Sequence, residues 1–272
     1  MSRPPIPVAT MTDRVFVIEP TDAVYRRRIE TRPSAGVVAA AMEDFVHHFA
    51  LRLHHDAGVV TAVDVAAERT PWSTCPDGAR ALASLVGTEL TEVGDVRQWI
   101  GSRSVQCVHT TDLAVIAAVA ALRGTPRDHE VRMWDIGAPE RTITMSIDHV
   151  EWATWVIGAE GIVDDPRSGR FAGRPLDATS FSAWIAELSA DDREAAAIMR
   201  RASTIGLGRG LDMDAWTDAT QGGNPVDSCH SYRPEIVRVA RRNRGTARAT
   251  DAEPPGTPVP PATAWVSLGP EN

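Results

Sequence analysis

The sequence predicts an α+β fold, with an antiparallel hairpin and helices in the first half and a second antiparallel sheet with helices packed on it. Two observations support this prediction. Apolar and polar side chains alternate over 45–54 and again over 129–136, 141–147 and 150–157, whereas residues 112–122 are almost all apolar over a helical length. Strict alternation is typical of half-buried strands, and a long apolar run that ends at a glycine is typical of a helix.

The elements of the first half follow in order. Strands are predicted over 24–32, 45–54 and 59–66, and the turn Asp56, Ala57, Gly58 joins the last two. Helices are predicted over 77–85, 95–100 and 112–122. Asp77 is expected to cap the first of these helices, and Gly124 is expected to end the third.

The second half begins with the three alternating strands and continues with helices over 181–188 and 191–204. Gly206, Gly208 and Gly210 follow a helix and not a strand, so we interpret them as the end of that helix and not as a dinucleotide-binding loop. A basic helix or strand is predicted over 236–244. Four regions result: a flexible N-terminus over 1–14, a metal-site half over 15–124, a second half packed on it over 125–244, and a disordered Pro- and Ala-rich tail over 245–272.

Composition excludes several classes of protein. The chain of 272 residues carries a net charge of -8, and nucleic-acid binders are more often basic. No apolar run approaches the length of a membrane span, and the N-terminus lacks an apolar signal core. We therefore expect a cytoplasmic protein that acts on a small-molecule substrate, without nucleic acid or membrane as a partner; a homodimer remains open.

Lysine is absent, since all 28 basic residues are arginines. This excludes a Schiff-base lysine, covalent pyridoxal phosphate and a Walker-type phosphate loop, because each needs a lysine amine.

Two of the three cysteines precede predicted helices, where backbone N–H groups favour a thiolate. Cys75 precedes the first helix, and Cys107 precedes the third. Cys107 and His109 could present a thiolate and an imidazole to one ion if the segment is extended, and Asp112 could be a third ligand or could orient His109. Such donors suit zinc or iron. The alternative is a buried thiol beside a surface histidine.

Three further residues are candidates for the site. His47 shares a strand face with Phe45 and Phe49 and is expected to point inward, whereas His48 is expected at the surface. Arg27, if inward, could hold a carboxylate or phosphate of a substrate, although an acid-paired strand edge is the simpler interpretation. Asp44 is the acid that precedes the strand.

Four segments resemble a bacterial family known only as a domain of unknown function. These are 43–49, 72–76, 107–113 and 207–212, and Cys107-x-His109 followed by Thr, Asp and Leu is the most specific of them. The resemblance runs from about Val24 to Pro234 and implies no reaction.

The order of elements in the first half is also distantly similar to U-type iron–sulfur scaffold proteins. That similarity implies ligand roles for Asp44, Cys75 and Cys107. The chain departs from the pattern because it lacks the first-loop cysteine and has Gln106 in place of a histidine.

The function that these residues favour is a metalloenzyme. One zinc or iron ion, bound by Cys75, Cys107, His109 and Asp44, would activate water or a carbonyl of a small metabolite, with His47, Asp112 and Arg27 as catalytic residues. Three alternatives stay open. They are a non-catalytic metal or iron–sulfur carrier, a metal-free enzyme with Cys107 as nucleophile, and a ligand-binding protein with inert cysteines.

Overall fold

A computed structural model describes residues 24–90, 105–136, 138–163 and 166–248, without the side chains of 166–168. The predictions for 1–14, 95–100 and 249–272 lie outside the described residues.

The described strands form one antiparallel sheet of nine, in the order β4-β3-β2-β1-β5-β6-β7-β8-β9. Their bounds are β1 Tyr25–Ser34, β2 Val37–Asp44, β3 His48–Asp56, β4 Val59–Arg69, β5 Arg127–Trp134, β6 Arg141–Ile147, β7 Val150–Ile157, β8 Ile162–Val163 and β9 Arg174–Pro175.

This continuous sheet confirms the α+β class and corrects the expectation of a second, separate sheet. β1 pairs with β2 on one side and with β5 on the other, so the strands of the second half extend the sheet of the first. Hydrogen bonding along β1, and not only packing between two layers, therefore joins the two halves.

Four α-helices are present in the described residues: α1 Cys75–Arg80, α2 Val108–Arg123, α3 Ala178–Ile185 and α4 Ala190–Ile205. A 3-10 turn over Ala81–Leu85 continues α1. Gly124 ends α2 in the left-handed conformation, as predicted. Asp177 and Ser189 cap α3 and α4 by accepting backbone N–H bonds.

Both predicted helix starts in the first half lie too late in the chain. Thr74, and not Asp77, is the N-cap residue of α1, and Cys107 is the N-cap residue of α2. Both cysteines therefore lie at helix N-termini, as the sequence indicated.

The predicted strand over 45–54 is two features. β2 ends at Asp44 and β3 begins at His48. Between them the Asp44 carboxylate accepts the backbone N–H groups of Val46 and His47 at 3.0 and 2.9 Å, which makes a turn that alternation alone does not reveal.

Helices cover one face of the sheet. α2 packs on β1, β2 and β3, and α4 packs on β5 and β6. Apolar side chains from these strands and helices form one core, in which Phe49, Leu51, Val131 and Trp155 are fully buried. α2 places its first turn over the neighbouring ends of β1 and β2.

The segment after α4 returns to the first half. The predicted helix or strand over 236–244 is instead a series of turns followed by isolated bridges from Arg241 to Asp218 and from Arg242 to Trp72. A small apolar cluster of Trp72, Cys75, Ala219, Tyr232, Val237 and Ala240 results. The segment is therefore bound to α1 by contacts that its own sequence periodicity cannot indicate.

Within the described ranges, no helix is both long and apolar enough to cross a membrane.

Candidate acid–base site

The site begins with the register of β1 and β2. Arg27 lies directly opposite Asp44 in the antiparallel pair. The guanidinium Nη2 of Arg27 donates to Asp44 Oδ2 at 2.9 Å, and the exposed fractions of the two side chains are 2% and 0%. Tyr25, two residues earlier on the same face of β1, lies 3.3 Å from the same oxygen through its hydroxyl. A buried ion pair of this kind fixes the geometry of both side chains.

The turn at Asp44 positions His47. Asp44 Oδ1 lies 3.0 Å from His47 Nδ1. A carboxylate can only accept, so Nδ1 carries the proton of this hydrogen bond. In the neutral ring, Nε2 then holds a lone pair and can act as a base.

The first turn of α2 positions His109. Arg27 Nη2 lies 2.9 Å from His109 Nδ1. A guanidinium can only donate, so Nδ1 accepts and the proton of the neutral ring resides on Nε2. Arg27 therefore makes His109 a hydrogen-bond donor at its other nitrogen.

The two imidazoles lie side by side. Their centroids are 3.9 Å apart, and both rings face Phe49 at about 6 Å (6.1 Å for His47 and 6.2 Å for His109). Two adjacent histidines thus have opposite proton arrangements, in a buried and partly apolar environment.

The surroundings of Asp44 and His109 determine their charge states near pH 7, and His47 adds to both effects through its charge only when its ring is protonated. Burial would raise the pKa of the Asp44 carboxyl, but His47 and Arg27 outweigh it and hold that pKa well below its ordinary value. Burial, with the charges of His47 and Arg27, lowers the pKa of His109 well below its ordinary value. Asp44 is therefore anionic and His109 neutral near pH 7.

Asp112 was expected as a third metal ligand or as the group that orients His109, and the structure gives its carboxylate a different partner. Its carboxylate pairs with Arg201 of α4, with Oδ2 2.5 Å from Nε, and both side chains are partly exposed. Arg201 is also close enough for its charge to contribute to the lowered pKa of His109.

Cys75 packs against the segment after α4, which contains Cys229, whereas Cys107 is the N-cap residue of α2, two positions before His109. Cys75 Sγ is 3.7 Å from the hydroxyl of Ser231. All three cysteines are free thiols, and burial raises the pKa of each, to about 11 for Cys229. Thiols that stay protonated at neutral pH are poor nucleophiles, which argues against the cysteine-nucleophile alternative.

The predicted site residues thus separate into two groups. Arg27, Asp44, His47 and His109 come together as one network, whereas Cys75 lies in a separate apolar cluster and Asp112 pairs with Arg201. In the described part of the chain, no three His, Cys, Asp or Glu side chains are arranged to hold a metal ion. The metal set of Cys75, Cys107, His109 and Asp44 stays a prediction, with two of its members already hydrogen-bonded to Arg27.

Sequence reasoning missed three residues and misplaced one. Tyr25 lies two positions before Arg27 and therefore on the same strand face, and this spacing in the sequence could have indicated that it belongs to the site. Arg201 reaches Asp112 from 89 residues away, which no local pattern indicates. Gln106, noted only as a departure from the scaffold pattern, accepts a hydrogen bond from Thr111. His48, expected at the surface, is buried, and it lies opposite Glu43 of β2 and Arg69 of β4 in the sheet.

Residues 22–123 match the model of a family described as "Protein of unknown function (DUF2889)". This confirms, for that part of the chain, the expected family of unknown function. Searches of curated proteins and of solved structures found no match. The expected similarity to iron–sulfur scaffolds receives no support from these comparisons. The whole Arg27, Asp44, His47 and His109 network lies within the matched residues, whereas Cys229 and His230 lie outside them.

Proposed function

We propose, from this geometry and from a family match that names no reaction, that the protein is an enzyme that adds water to the carbonyl carbon of a small organic molecule by acid–base catalysis. The observation that carries the proposal is the pair of adjacent imidazoles, His47 and His109, with opposite proton arrangements. Three free thiols suit a reducing compartment, so we infer that the enzyme acts in the cytoplasm.

His47 is the proposed base. Asp44 holds its Nδ1–H at 3.0 Å, which orients the ring and stabilises the imidazolium that forms when Nε2 accepts a proton. Water that loses this proton attacks the carbonyl carbon, and the carbonyl electron pair moves to oxygen. With an ester or thioester, that pair then returns, the bond to the alcohol or thiol group breaks, and the His47 imidazolium gives its proton to the departing group.

His109 is the proposed donor to that oxygen. Because Arg27 occupies Nδ1, Nε2–H is available to donate a hydrogen bond to the developing negative charge. A neutral imidazole can serve as such an electrophile. Arg27 is a positioning residue in this scheme, since it contacts Asp44 and His109 and holds both in place.

The network also indicates why His109 is a poor zinc ligand here. Its Nδ1 lone pair accepts from Arg27, so Nε2 must keep its proton and has no lone pair in the ring plane for a metal. This favours acid–base chemistry over a metal at His109.

The first test is the tautomeric state of the two rings, by long-range ¹H–¹⁵N NMR on protein labelled at histidine. We expect the Nδ1–H form for His47 and the Nε2–H form for His109. His54 is the matched control, since it is a surface histidine that pairs with Asp64 at 3.1 Å. The opposite tautomer at either ring would contradict the assignment.

The second test is hydrolysis of a panel of aryl esters and thioesters by the wild type and two variants. We expect His47→Gln to lower kcat/KM by about 10²- to 10⁴-fold, as for loss of a general base. His54→Gln should leave the rate unchanged. Equal rates for wild type and His47→Gln would show that the background activity does not use this site.

A further inference from the structure

The turn between β2 and β3, which carries His47, is held by residues from two other parts of the chain. The first is Arg69, the last residue of β4, whose side chain is buried and which lies opposite His48 in the sheet. Its guanidinium Nη2 donates to the backbone carbonyl of Asp44 at 2.8 Å and to the Glu43 carboxylate at 2.7 Å. Arg69 therefore holds the backbone at the residue whose carboxylate orients the proposed base.

The second contact comes from residues 242–248, which lie far along the chain. The backbone N–H of Arg248 donates to the Phe45 carbonyl at 2.7 Å. Arg69 contacts the same segment, because its Nη1 donates to the Thr246 carbonyl at 3.1 Å. One arginine side chain thus joins the turn to the 242–248 segment, and a backbone hydrogen bond joins the two directly.

The 242–248 segment has its own attachment beside the end of β4. The backbone N–H of Asn243 donates to the Pro71 carbonyl at 2.9 Å, and its side-chain amide donates to the Thr70 carbonyl at 3.1 Å. Arg242 Nη1 donates to the Pro71 carbonyl at 3.0 Å. The position of the segment therefore does not depend on its contacts with the turn, and it can serve as a support for the turn.

The backbone of the turn is held at three carbonyl groups. Asp44 O accepts from Arg69, Phe45 O accepts from Arg248, and His47 O accepts from the Asp44 N–H at 2.9 Å. The Asp44 carboxylate, which accepts the Nδ1–H of His47, is thereby held from both its backbone and its side chain. Release of the outer contacts should let the turn move and weaken this hydrogen bond.

We propose that Arg69, supported by residues 242–248, is a positioning residue for His47. The inference rests on the proposed function for the role of His47 as a base, whereas the positioning itself can be measured without any activity. Arginine suits this role because its planar guanidinium presents several N–H donors in a rigid arrangement, so one side chain holds two carbonyls and a carboxylate.

A pair of variants at Arg248 isolates the backbone hydrogen bond in the full chain. Arg248→Pro removes the N–H that donates to Phe45, whereas Arg248→Ala keeps that N–H and removes a side chain that is 63% exposed. We expect Arg248→Pro to accelerate solvent exchange of the His47 Nδ1 proton, measured by ¹H–¹⁵N NMR, by about tenfold, because the turn opens more often once this bond is lost. Arg248→Ala should exchange as the wild type does.

Arg69→Met removes the guanidinium itself. We expect the same acceleration at His47, and in the ester assay a kcat that is lower by about 10- to 100-fold with little change in KM, because the base is misplaced. Arg123→Met is the control, since it also removes a largely buried arginine, which is 15% exposed and pairs with Glu194 at 2.8 Å. It should change neither quantity, which separates loss of position from loss of stability.

Unchanged exchange at His47 in Arg69→Met would overturn the role of Arg69, and unchanged exchange in Arg248→Pro would overturn that of the 242–248 segment. Equal acceleration in Arg123→Met would attribute the effect to stability and reject the inference. If Arg69→Met does not fold, the Arg248 pair decides. Faster exchange in both variants, with no ester hydrolysis by the wild type, would support the positioning and reject only the proposed function.

Discussion

The buried pair of Arg27 and Asp44 shows how single residues organise the site. Asp44 uses both carboxylate oxygens: Oδ2 accepts from Arg27 and Tyr25, and Oδ1 accepts from His47 and two backbone N–H groups. One side chain therefore closes the turn after β2, neutralises a buried guanidinium and orients the proposed base. Loss of its charge should affect stability and catalysis together.

We predict that Asp44→Asn lowers the free energy of unfolding by about 3 to 5 kcal/mol near pH 7, because Arg27 is left as an uncompensated buried charge. The pKa of Asp44 is lower in the folded than in the unfolded chain, so its stabilisation is complete above about pH 4 and is lost as pH falls toward the folded pKa. The difference between wild type and variant should therefore shrink below pH 4. Urea unfolding at several pH values measures both effects.

Asp64→Asn is the control for this prediction, since the Asp64 side chain is 60% exposed and pairs with His54 at the surface. Its cost should stay below about 1 kcal/mol. Equal costs for the two variants would mean that the buried pair contributes no more than a solvated one.

At the scale of elements, helix starts determine where the chemistry lies. The first turn of α2 carries His109 toward Arg27, while its N-cap Cys107 lies against α1 and the His230 loop. One helix N-terminus thus connects the histidine network to α1 and to the loop that carries His230. The contact between α1 and the loop leaves no room for a larger side chain at Gly78.

We predict that Gly78→Ala destabilises the protein by about 1 to 3 kcal/mol, because the added methyl meets His230 Cβ and the backbone of Cys107. Amide exchange at His230 should accelerate, since its hydrogen bond to Gln106 is disturbed. The neighbouring exposed residue Asp77 provides the control. Asp77→Ala should change neither the free energy of unfolding nor the amide exchange rate at His230 appreciably. Unchanged exchange in Gly78→Ala would show that the loop can move without loss of this contact.

At the scale of the whole molecule, Glu194 of α4 joins the two halves from the helical side. Its fully buried carboxylate accepts from Arg123 at the end of α2 at 2.8 Å and from Arg127 of β5 at 2.9 Å. His129 lies 3.6 Å from the other carboxylate oxygen. Because these contacts add to the β1 to β5 pairing, we expect the two halves to unfold as one cooperative unit.

We predict that Glu194→Ala lowers the free energy of unfolding by about 3 to 5 kcal/mol, because two arginines lose their buried partner. Glu187→Ala removes a carboxylate that is 64% exposed and should cost less than about 1 kcal/mol. Far-ultraviolet circular dichroism and tryptophan fluorescence should report one coincident transition in the wild type. Two separate transitions would contradict a single cooperative unit.

Particular residues show how far sequence reasoning reached. Several elements follow from alternation, turn chemistry and a helix stop, which are local properties of the sequence. They are the strand of Arg27, the hairpin around Asp56 to Gly58, the end of α2 at Gly124 and the three strands after residue 125. The alternation of apolar residues predicts a strand through Phe45 to His47. In the structure these residues form a turn closed by the Asp44 side chain, and the turn leaves that alternation unchanged.

The sequence by itself determined the α+β class, most of its elements, a match over residues 22–123 to a family of unknown function, and the residue types available for chemistry. Only the tertiary structure decided which of them meet. Arg27 and His109 are 82 residues apart in the sequence, and β1 pairs with β5 although α2 and three strands lie between them in the sequence. Partner choice over such separations depends on strand register and helix packing, and a single sequence carries no periodic signal for either.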